Sequence, residues 1–421
     1  MDRTTPPTHR HAQSLPLADA FRDQFSDADI DRIVADHGIC FRKRLFTPAV
    51  TVRTFFNQVF HAGASCRNAV IRLYAARLPS APPTATRPDV APLALHTGSY
   101  CKARQRRPEV VITQLGRLVA DRAEAAAKPW NGNGHPVKIV DGSTVSMPDT
   151  PANQEAFPQP KNQTPGVGFP LARLVLIVSL ATGCVRRMAL APKAGQGQGE
   201  GSLLAGMLDE FNPNDVVMGD ALFSSYWLLA SLSARGVHYV GDLSSHRRAD
   251  YRTGQRLGPT DRLVIWHKPP KKPPGLSQDE WDALPETIPV RRMRVAVDRP
   301  GFRPQVLHLV TTLLDAQRYP KADVATRYRR RWQIELHLRT LKADGEMGIL
   351  RCKHPSMVRK EIAMPVLVFN AVRAVMVTAG IGVNRPPSRL SFTAAREAIE
   401  AFAPQLADPA FRERALAAML E

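Results

Sequence analysis

The pattern of hydrophobic positions divides the chain into a helical part, a strand-rich part and a second helical part. Apolar residues recur at the spacing of one helix face in four early segments, 21–39, 47–61, 66–78 and 109–127. Thr47 followed by Pro48 is typical of a helix start. Residues 1–15 are polar and predict a mobile arm, whereas the proline-rich stretch 79–95 predicts a linker.

From residue 136 onward, short apolar runs replace the helical pattern and predict strands. The predicted strands are 137–140, 171–181, 185–191, 216–219, 238–243, 262–267, 289–297 and 306–314. A helix over 201–211 lies between the third and fourth strands, so the first and fourth can pair side by side. After residue 348 the helical pattern returns over 357–378, 392–402 and 409–420. We therefore expect an α/β protein with a mixed sheet and helical flanks.

One helix is unusual for the chemistry of its surface. It is expected from about Pro320 to Gly345 or Gly348, and Ile334, Leu338 and Leu341 mark its buried side. Four polar residues at intervals of three, four and seven are expected to stack on the opposite face: Tyr328, Arg331, Glu335 and Lys342. A solvated face with ion pairs from Glu335 to Arg331 and Arg339 explains the same pattern without any function.

Composition narrows the class of partner. The 57 Lys and Arg residues exceed the 38 Asp and Glu residues, which gives a formal net charge of +19. The basic residues cluster at 102–107, 247–248, 268–272, 291–294 and 327–331. This pattern suits a polyanion such as nucleic acid. We find no convincing membrane span, so we expect a cytoplasmic protein. The five cysteines are scattered and lack a C-x-x-C pair, which argues against disulfides and structural zinc.

Two aspartates follow apolar strands that are expected to be neighbours. Asp141 follows the first predicted strand, and Asp220 follows the strand 216–219. Asp141-Gly142 by itself is most often only a turn. Two carboxylates held close together repel each other unless a cation lies between them, and oxygen ligands suit Mg²⁺ or Mn²⁺. No set of His and Cys residues offers the ligands that zinc prefers.

Three motifs together resemble a known family. The spacing Tyr-(2)-Arg-(3)-Glu-(6)-Lys is met by Tyr328, Arg331, Glu335 and Lys342. Upstream stand Asp141-Gly142-Ser143 and Asp220-Ala221-Leu222-Phe223. In this order the motifs resemble those of the DDE transposases of bacterial insertion sequences, in the insertion-sequence-four family. The resemblance covers roughly residues 95–360.

The resemblance implies a fold and a set of site residues. It implies a ribonuclease H-like core in which Asp141, Asp220 and Glu335 hold two Mg²⁺ ions, for which Mn²⁺ can substitute. DNA phosphates would be contacted by Tyr328, Arg331, Arg339 and Lys342. The implied partners are the DNA of the transposon ends and of the target, with a dimer assembled on DNA.

The hydrophobic pattern and the resemblance together divide the chain into expected domains. The mobile arm is followed by a helical DNA-binding region over 16–130, although a small helical bundle without a ligand would look the same. The catalytic core spans 136–245 and 304–348, and a β-rich insertion over 246–303 interrupts it. A helical region spans 349–421. Trp266 and Trp281 lie in the insertion, where family members can hold a flipped base, but a packing role is the simpler expectation for each.

Two other functions fit the same residues. A metal-dependent nuclease would use the three carboxylates without strand transfer. A DNA-binding repressor would keep the basic surface with an inactive or structural carboxylate cluster.

Overall fold

The computed structural model describes residues 16–42, 44–61, 63–76, 96–130, 134–160, 164, 166–195, 197–245, 247, 249–297, 305–343, 347–348, 350–408 and 410–418. Its α-helices are α1 (Pro16–Ala20), α2 (Asp27–Asp36), α3 (Pro48–Phe60), α4 (Cys66–Ala75), α5 (Gly98–Arg106), α6 (Glu109–Ala126), α7 (Pro151–Ala156), α8 (Glu200–Ala205), α9 (Tyr226–Ala234), α10 (Gln278–Asp282), α11 (Lys321–Tyr328), α12 (Gln333–Ala343), α13 (Pro355–Gly382), α14 (Phe392–Ala401), α15 (Ala403–Ala407) and α16 (Arg412–Ala418). Its strands are β1 (Val137–Ser146), β2 (Leu171–Ser179), β3 (Val185–Pro192), β4 (Val216–Gly219), β5 (His238–Asp242), β6 (Gln255–Gly258), β7 (Asp261–His267), β8 (Thr287–Val297) and β9 (Gln305–Thr311).

The described strands form one mixed sheet of nine strands in the order β3-β2-β1-β4-β5-β9-β8-β7-β6. The first three strands are antiparallel, whereas β1, β4 and β5 run parallel to one another. The crossover from β3 to β4 carries α8, as the sequence predicts. The predicted α/β class with a ribonuclease H-like mixed sheet is therefore confirmed.

The first strand is longer than its hydrophobic run. Val137–Val140 is buried, but β1 continues to Ser146 because its polar half stays paired with β2, from Gly142 opposite Val175 to Ser146 opposite Leu171. Hydrophobicity reports burial and does not report backbone pairing, so the predicted end at Val140 is wrong. Asp141 lies in the middle of β1 and not at its end.

Helix boundaries differ from the predictions at two places. The segment 21–39 was expected as one helix, but α1 ends at Ala20 and α2 begins at Asp27, where Ser26 and Asp29 form a capping box. The crossover helix is also short, because α8 ends at Ala205 and a 3₁₀ turn follows at Leu208–Glu210. Thr47 caps α3 by accepting from the backbone N–H of Val50, as predicted. The predicted arm 1–15 and the predicted linker 79–95 lie outside the described residues.

The segment predicted as a β-rich insertion extends the same sheet. It contributes β6, β7 and β8, and β8 pairs antiparallel with β9 from Arg291 opposite Thr311 to Val297 opposite Gln305. Trp266 and Trp281 are only 5% and 6% exposed and belong to the apolar cluster on one face of the sheet. Their burial agrees with the expected packing role.

Helix α13 connects the layers of the protein. It is long and apolar enough to cross a membrane by length and composition, but 94% of its most apolar stretch is buried inside the protein. Fully buried Asn370 donates to the carbonyl oxygens of Gly116 on α6 and Val185 on β3, at 3.0 and 2.7 Å, and accepts from the Val185 N–H at 2.8 Å. Arg373 donates to the carbonyl of Thr182 at 2.8 Å. These bonds attach the helical regions to the sheet.

Replacing Asn370 with Ala should therefore destabilise the whole protein. The change removes three buried hydrogen bonds to backbone groups of Gly116 and Val185, so we expect a loss of roughly 2–4 kcal/mol in the free energy of unfolding. Urea denaturation followed by circular dichroism measures it. Thr378→Ala on the same helix is the control, because Thr378 bonds only within its own helix, to Ala374. Equal losses in the two variants would contradict a connecting role for Asn370.

Candidate active site

Strand register brings three aspartates to one face of the sheet. Ile139 on β1 pairs with Met218 on β4, and Met218 pairs with Val240 on β5. Side chains alternate along a strand, so residues two positions further on share the face of these three apolar residues. Those residues are Asp141, Asp220 and Asp242. Each of these aspartates lies beyond the buried part of its strand, and all three lie toward the same end of the sheet.

The helix that carries Glu335 packs on that same face. Ile334, Leu338 and Leu341 are buried in the apolar cluster that also contains Ile139 and Met218. The helix is interrupted, because a 3₁₀ turn at Arg329–Trp332 separates α11 from α12. Even so, the Arg331 guanidinium lies 6.0 Å from the centre of the Tyr328 ring and its Nη2 lies 3.1 Å from Glu335 Oε1, so these three predicted residues are neighbours.

Tyr328, predicted to contact DNA phosphate, is buried, and its hydroxyl is bound within the protein. Its side chain is 4% exposed and belongs to the apolar cluster. Its hydroxyl donates to Asp242 Oδ2 at 2.8 Å and lies 3.2 Å from the carbonyl oxygen of Gly219. The hydroxyl thus joins the ends of β4 and β5 to the helix that carries Glu335.

Asp242 is a site residue that the sequence predictions missed. Burial raises the pKa of its carboxyl group, and Asp220 adds to the rise, while Tyr328 and Arg331 oppose it. The carbonyl oxygen of Asp242 also accepts from the Ser224 hydroxyl, which lies in the loop after Asp220. The sequence did contain a signal for this residue. Asp242 ends an apolar strand, and Asp220, which was selected, directly follows one.

Arg331 is the positive group among the carboxylates. Its Nη2 lies 3.1 Å from Glu335 Oε1, whereas the alternative pair with Arg339 does not form. Burial raises the pKa of Asp141, and Asp220 and Glu335 add to the rise, while the Gly142 N–H and Arg331 oppose it. Desolvation by burial lowers the pKa of Arg331, but Tyr328, Asp141, Glu335 and Asp220 raise it more, so the net shift is upward. Arg331 therefore compensates the negative charge of this face.

The donor set fits a hard divalent cation. Asp141 Oδ1 accepts from the Gly142 N–H at 2.8 Å, and Asp220 Oδ1 accepts from the Leu222 N–H at 2.9 Å. The other oxygen of each aspartate can serve as a ligand, and carboxylate oxygens suit Mg²⁺ or Mn²⁺. Among the described residues no group of three or more acidic, His or Cys side chains is already arranged around one point. The chemistry of these ligands fits a divalent cation. The ion pair with Arg331 keeps Glu335, the third predicted ligand, apart from Asp141 and Asp220.

The remaining predicted DNA contacts lie further along α12. Arg339 is exposed and Lys342 is half-buried. Trp332 lies in the 3₁₀ turn and is 51% exposed. The contacts of Arg339 and Lys342 with DNA stay predictions.

Several basic residues counted in the sequence are structural. Arg291 pairs with Asp261 through two hydrogen bonds at 2.9 and 2.6 Å and is 1% exposed. The guanidinium of Arg104 stacks on the Phe55 ring at 3.9 Å, and that of Arg107 lies 5.7 Å from the Phe41 ring. Part of the surplus positive charge is therefore committed to packing.

Glu200 is an acidic residue close to Gly142 that the sequence predictions did not select. It begins α8, and its carboxylate lies against Gly142, where a Cβ atom would overlap it. Burial raises the pKa of Glu200, and Asp220 and Asp141 add to the rise, whereas Arg173 opposes it. The glycine-rich segment around Glu200 carries no spacing signal, so the sequence alone gave no reason to select it.

Comparison with known proteins identifies the family. Residues 132–370, more than half of the chain, match the family described as the transposase DDE domain. The chain belongs to this family. Among curated proteins, it is 26% identical over 310 residues to the transposase InsG for insertion sequence element IS4 of Escherichia coli (strain K12). That alignment covers 73% of this chain and 66% of the relative, just under two thirds of the relative's length. The predicted resemblance to DDE transposases of the insertion-sequence-four type is thus confirmed.

A solved structure resembles the DDE-family chain more distantly. It is the cryo-EM structure of the piggyBac transposase synaptic complex with hairpin DNA, at 11% sequence identity and a TM-score of 0.45. The match covers 99% of this chain and 87% of that one. A score below 0.5 is too low to support an argument about the site.

The raised pKa of Asp242 predicts how the metal-free protein responds to pH. A carboxyl group whose folded-state pKa lies above its usual value of 3.8 favours folding below about pH 4, and this contribution is lost as pH rises through the raised pKa. Asp242→Asn should therefore raise the Tm by about 1–3 °C at pH 7, with the gain shrinking toward pH 4.

Thermal melts in a chelating buffer at several pH values measure the difference. The control is Glu155→Gln, because Glu155 is an exposed acidic residue on α7. If Asp242→Asn lowers the Tm at pH 7 and Glu155→Gln does not, the prediction is contradicted. The hydrogen bond from Tyr328 to charged Asp242 would then stabilise the fold.

Proposed function

We propose that this protein is a transposase that cuts DNA at transposon ends in a metal-dependent reaction and joins the cut ends to target DNA. The observation that supports it most is the shared face of Asp141 and Asp220, with the helix of Glu335 packed on that face. Membership of the DDE family and similarity to the IS4 transposase support the same activity.

The proposed mechanism uses three carboxylates as metal ligands. Asp141, Asp220 and Glu335 would together hold the metal ions. Two Mg²⁺ ions, or Mn²⁺ in their place, supply activation of an attacking oxygen and stabilisation of the leaving oxygen in two-metal sites. Glu335 must first part from Arg331, and its 57% exposed side chain is free to rotate.

The basic residues of the same helix would position the DNA. Arg331 would bind a phosphate through its planar guanidinium once Glu335 has turned away, and Arg339 and Lys342 would bind phosphates further along α12. Tyr328 has a different role in this proposal, because its hydroxyl is committed to Asp242. It positions the helix and does not bind DNA.

The rest of the proposal concerns partners and place. The partners are transposon-end DNA and target DNA, and the active form is a dimer assembled on DNA in the bacterial cytoplasm. The formal net charge of +19 supports a polyanionic partner, although Arg291, Arg104 and Arg107 do not contribute to an open surface. The helices α2–α6 would supply the preference for the transposon end.

Each of the three carboxylates should be essential for cutting. Asp141→Asn, Asp220→Asn and Glu335→Gln keep the shape of the side chain but remove a metal-binding anion. We expect each to abolish cleavage of a duplex taken from the inverted repeats that flank the reading frame. Binding of the same duplex in a band-shift assay should change little.

The same assay distinguishes the alternatives. A nuclease would cut but would not join the cut end to a target plasmid, and a repressor would bind without cutting in any metal. A variant at one of the three positions that cuts at the normal rate would remove that residue from the site.

Substitutions at Arg331 and at Glu335 should impair DNA cleavage in different ways. Arg331→Lys keeps the charge but loses the two-point contact with phosphate, so cleavage should fall more than DNA affinity, and added Mg²⁺ should not restore it. Glu335→Asp withdraws the anion by one methylene, so more metal or Mn²⁺ should partly restore cleavage.

Cleavage rates over a metal titration test this difference, with a thermal melt of each variant alongside. If both variants respond to metal alike, Arg331 and Glu335 are only a surface ion pair, which contributes a few tenths of a kcal/mol.

A further inference from the structure

Helix α11 begins against a turn of the outer strands. Lys321 is its first residue, and the Nζ atom donates to the carbonyl oxygen of Pro259 at 2.9 Å and to the Thr260 hydroxyl at 3.2 Å. Pro259 and Thr260 form the turn between β6 and β7. The carbonyl oxygen of Arg294 on β8 lies 3.4 Å from the same Nζ. The ammonium group of Lys321 therefore joins α11 to the β6–β7 turn and to β8.

The turn itself is strained at Thr260. Its φ is +52°, in the left-handed region, and the other described non-glycine residues with positive φ are Asn214 and Asn384. Asparagine tolerates this region, whereas a β-branched residue is unfavourable there. The Thr260 hydroxyl donates to the Arg294 carbonyl at 3.0 Å and accepts from Lys321. These bonds hold the strained conformation, and strain that is held in this way is concentrated at functional parts of proteins.

A second contact holds the residue just before α11. Arg291 on β8 makes two hydrogen bonds with Asp261, the residue after Thr260, and its Nη1 donates to the carbonyl oxygen of Tyr319 at 2.6 Å. Arg291 is buried, so these bonds are shielded from water. The chain on both sides of Pro320, where α11 begins, is thus bonded to the outer strands.

Helix α11 is consequently held at both ends. Its start is bonded to the β6–β7 turn, and at its last residue the Tyr328 hydroxyl is bonded to Asp242. A helix with one fixed point can pivot, whereas two fixed points about two turns apart set its direction. The 3₁₀ turn and the helix of Glu335 follow directly, so the position of Glu335 over the sheet depends on the direction of α11.

We propose that Lys321 is a positioning residue for Glu335, which acts through the strained turn between β6 and β7. This inference rests on the proposed function, in which Glu335 is a metal ligand. Lys321 does not bind DNA in this role, because its ammonium group is committed to acceptors within the protein. The outer strands thereby contribute to the active site without supplying a ligand.

Hydrogen–deuterium exchange tests the hold on α11 without DNA, metal or catalysis. In the full-length protein, Lys321→Met keeps the length of the side chain but removes the ammonium group. The loss of charged hydrogen bonds favours local opening, so backbone amides over 326–336 should exchange about 10-fold faster, while those of β1 and β2 should not change. Lys353→Met, at an exposed lysine before α13, is the matched control. Unchanged exchange over 326–336 in Lys321→Met overturns the proposal.

Cleavage of transposon-end DNA is the second readout. Misplacement of a catalytic group by a distant change can cost up to 100-fold, so Lys321→Met should cut roughly 10- to 100-fold more slowly at saturating DNA. Its affinity for the same duplex in a band-shift assay should change little. Lys321→Arg keeps a charged donor and should retain most of the rate. Weaker DNA binding with a normal rate would mean that Lys321 is a DNA contact, which overturns the positioning role.

Variants at Thr260 test the same contact from the turn. Thr260→Gly accepts the left-handed φ but removes the hydroxyl, whereas Thr260→Ser keeps it. Thr260→Gly should change exchange and cleavage in the same direction as Lys321→Met but less, because the Pro259 carbonyl still accepts from Lys321, and Thr260→Ser should change them least. The double variant Lys321→Met/Thr260→Gly should match Lys321→Met, because both changes remove one contact. Losses that multiply would overturn the proposed route.

The two readouts separate failure of this inference from failure of the proposed function. If the unchanged protein cuts DNA and Lys321→Met cuts equally fast, the positioning role is overturned and the proposed function stands. If the unchanged protein cuts in no divalent metal, the proposed function fails, and the role of Lys321 in it fails as well, whatever the exchange rates are.

Discussion

Burial of acidic side chains at one end of the sheet, to which their mutual repulsion adds, is the constraint that shapes this protein. Asp141, Asp220 and Asp242 share a face by strand register, and Glu200 from the crossover helix lies against β1 at Gly142. Burial and like charge raise the pKa of three of these groups, so the fold holds them against their preference for water. Arg331, the Tyr328 hydroxyl and a few backbone N–H groups offset part of this repulsion. Natural proteins accept such destabilisation mainly where function requires it.

The geometry of the acidic cluster depends on elements far from it. Helix α12 is held on the sheet by its buried leucines, and the ring of His337 lies 5.7 Å from that of Phe369 on α13. Helix α13 is in turn fixed to β3 and α6 by Asn370. The position of Glu335 thus depends on a helix that carries no proposed chemistry. The family match ends at residue 370 and so includes the part of α13 that carries Phe369.

The sequence predicted the elements well where burial and pairing coincide. Val216–Gly219 has the predicted bounds, because a short strand buried on both faces is apolar along its whole length. The polar half of β1 was missed because β2 supplies its hydrogen bonds regardless of hydrophobicity. The burial of Tyr328 was not predicted, because its hydroxyl bonds to Asp242, a residue far away in the sequence. Glu200 was not selected because it is a single acidic residue whose neighbours are set by tertiary structure, whereas Asp242 was overlooked although it ends an apolar strand.

The two halves of the interrupted helix differ in how firmly they are held. Tyr328 is buried and its hydroxyl is bonded to Asp242 and Gly219, so breaking this contact leaves polar groups unpaired inside the protein. The Arg331–Glu335 pair lies one turn later with Glu335 largely exposed, and an exposed pair at this spacing contributes only a few tenths of a kcal/mol. The 3₁₀ turn lies between a fixed anchor and an exchangeable pair. Glu335 can therefore leave Arg331 for another cation at little energetic cost, while Tyr328 keeps the backbone that carries it in place.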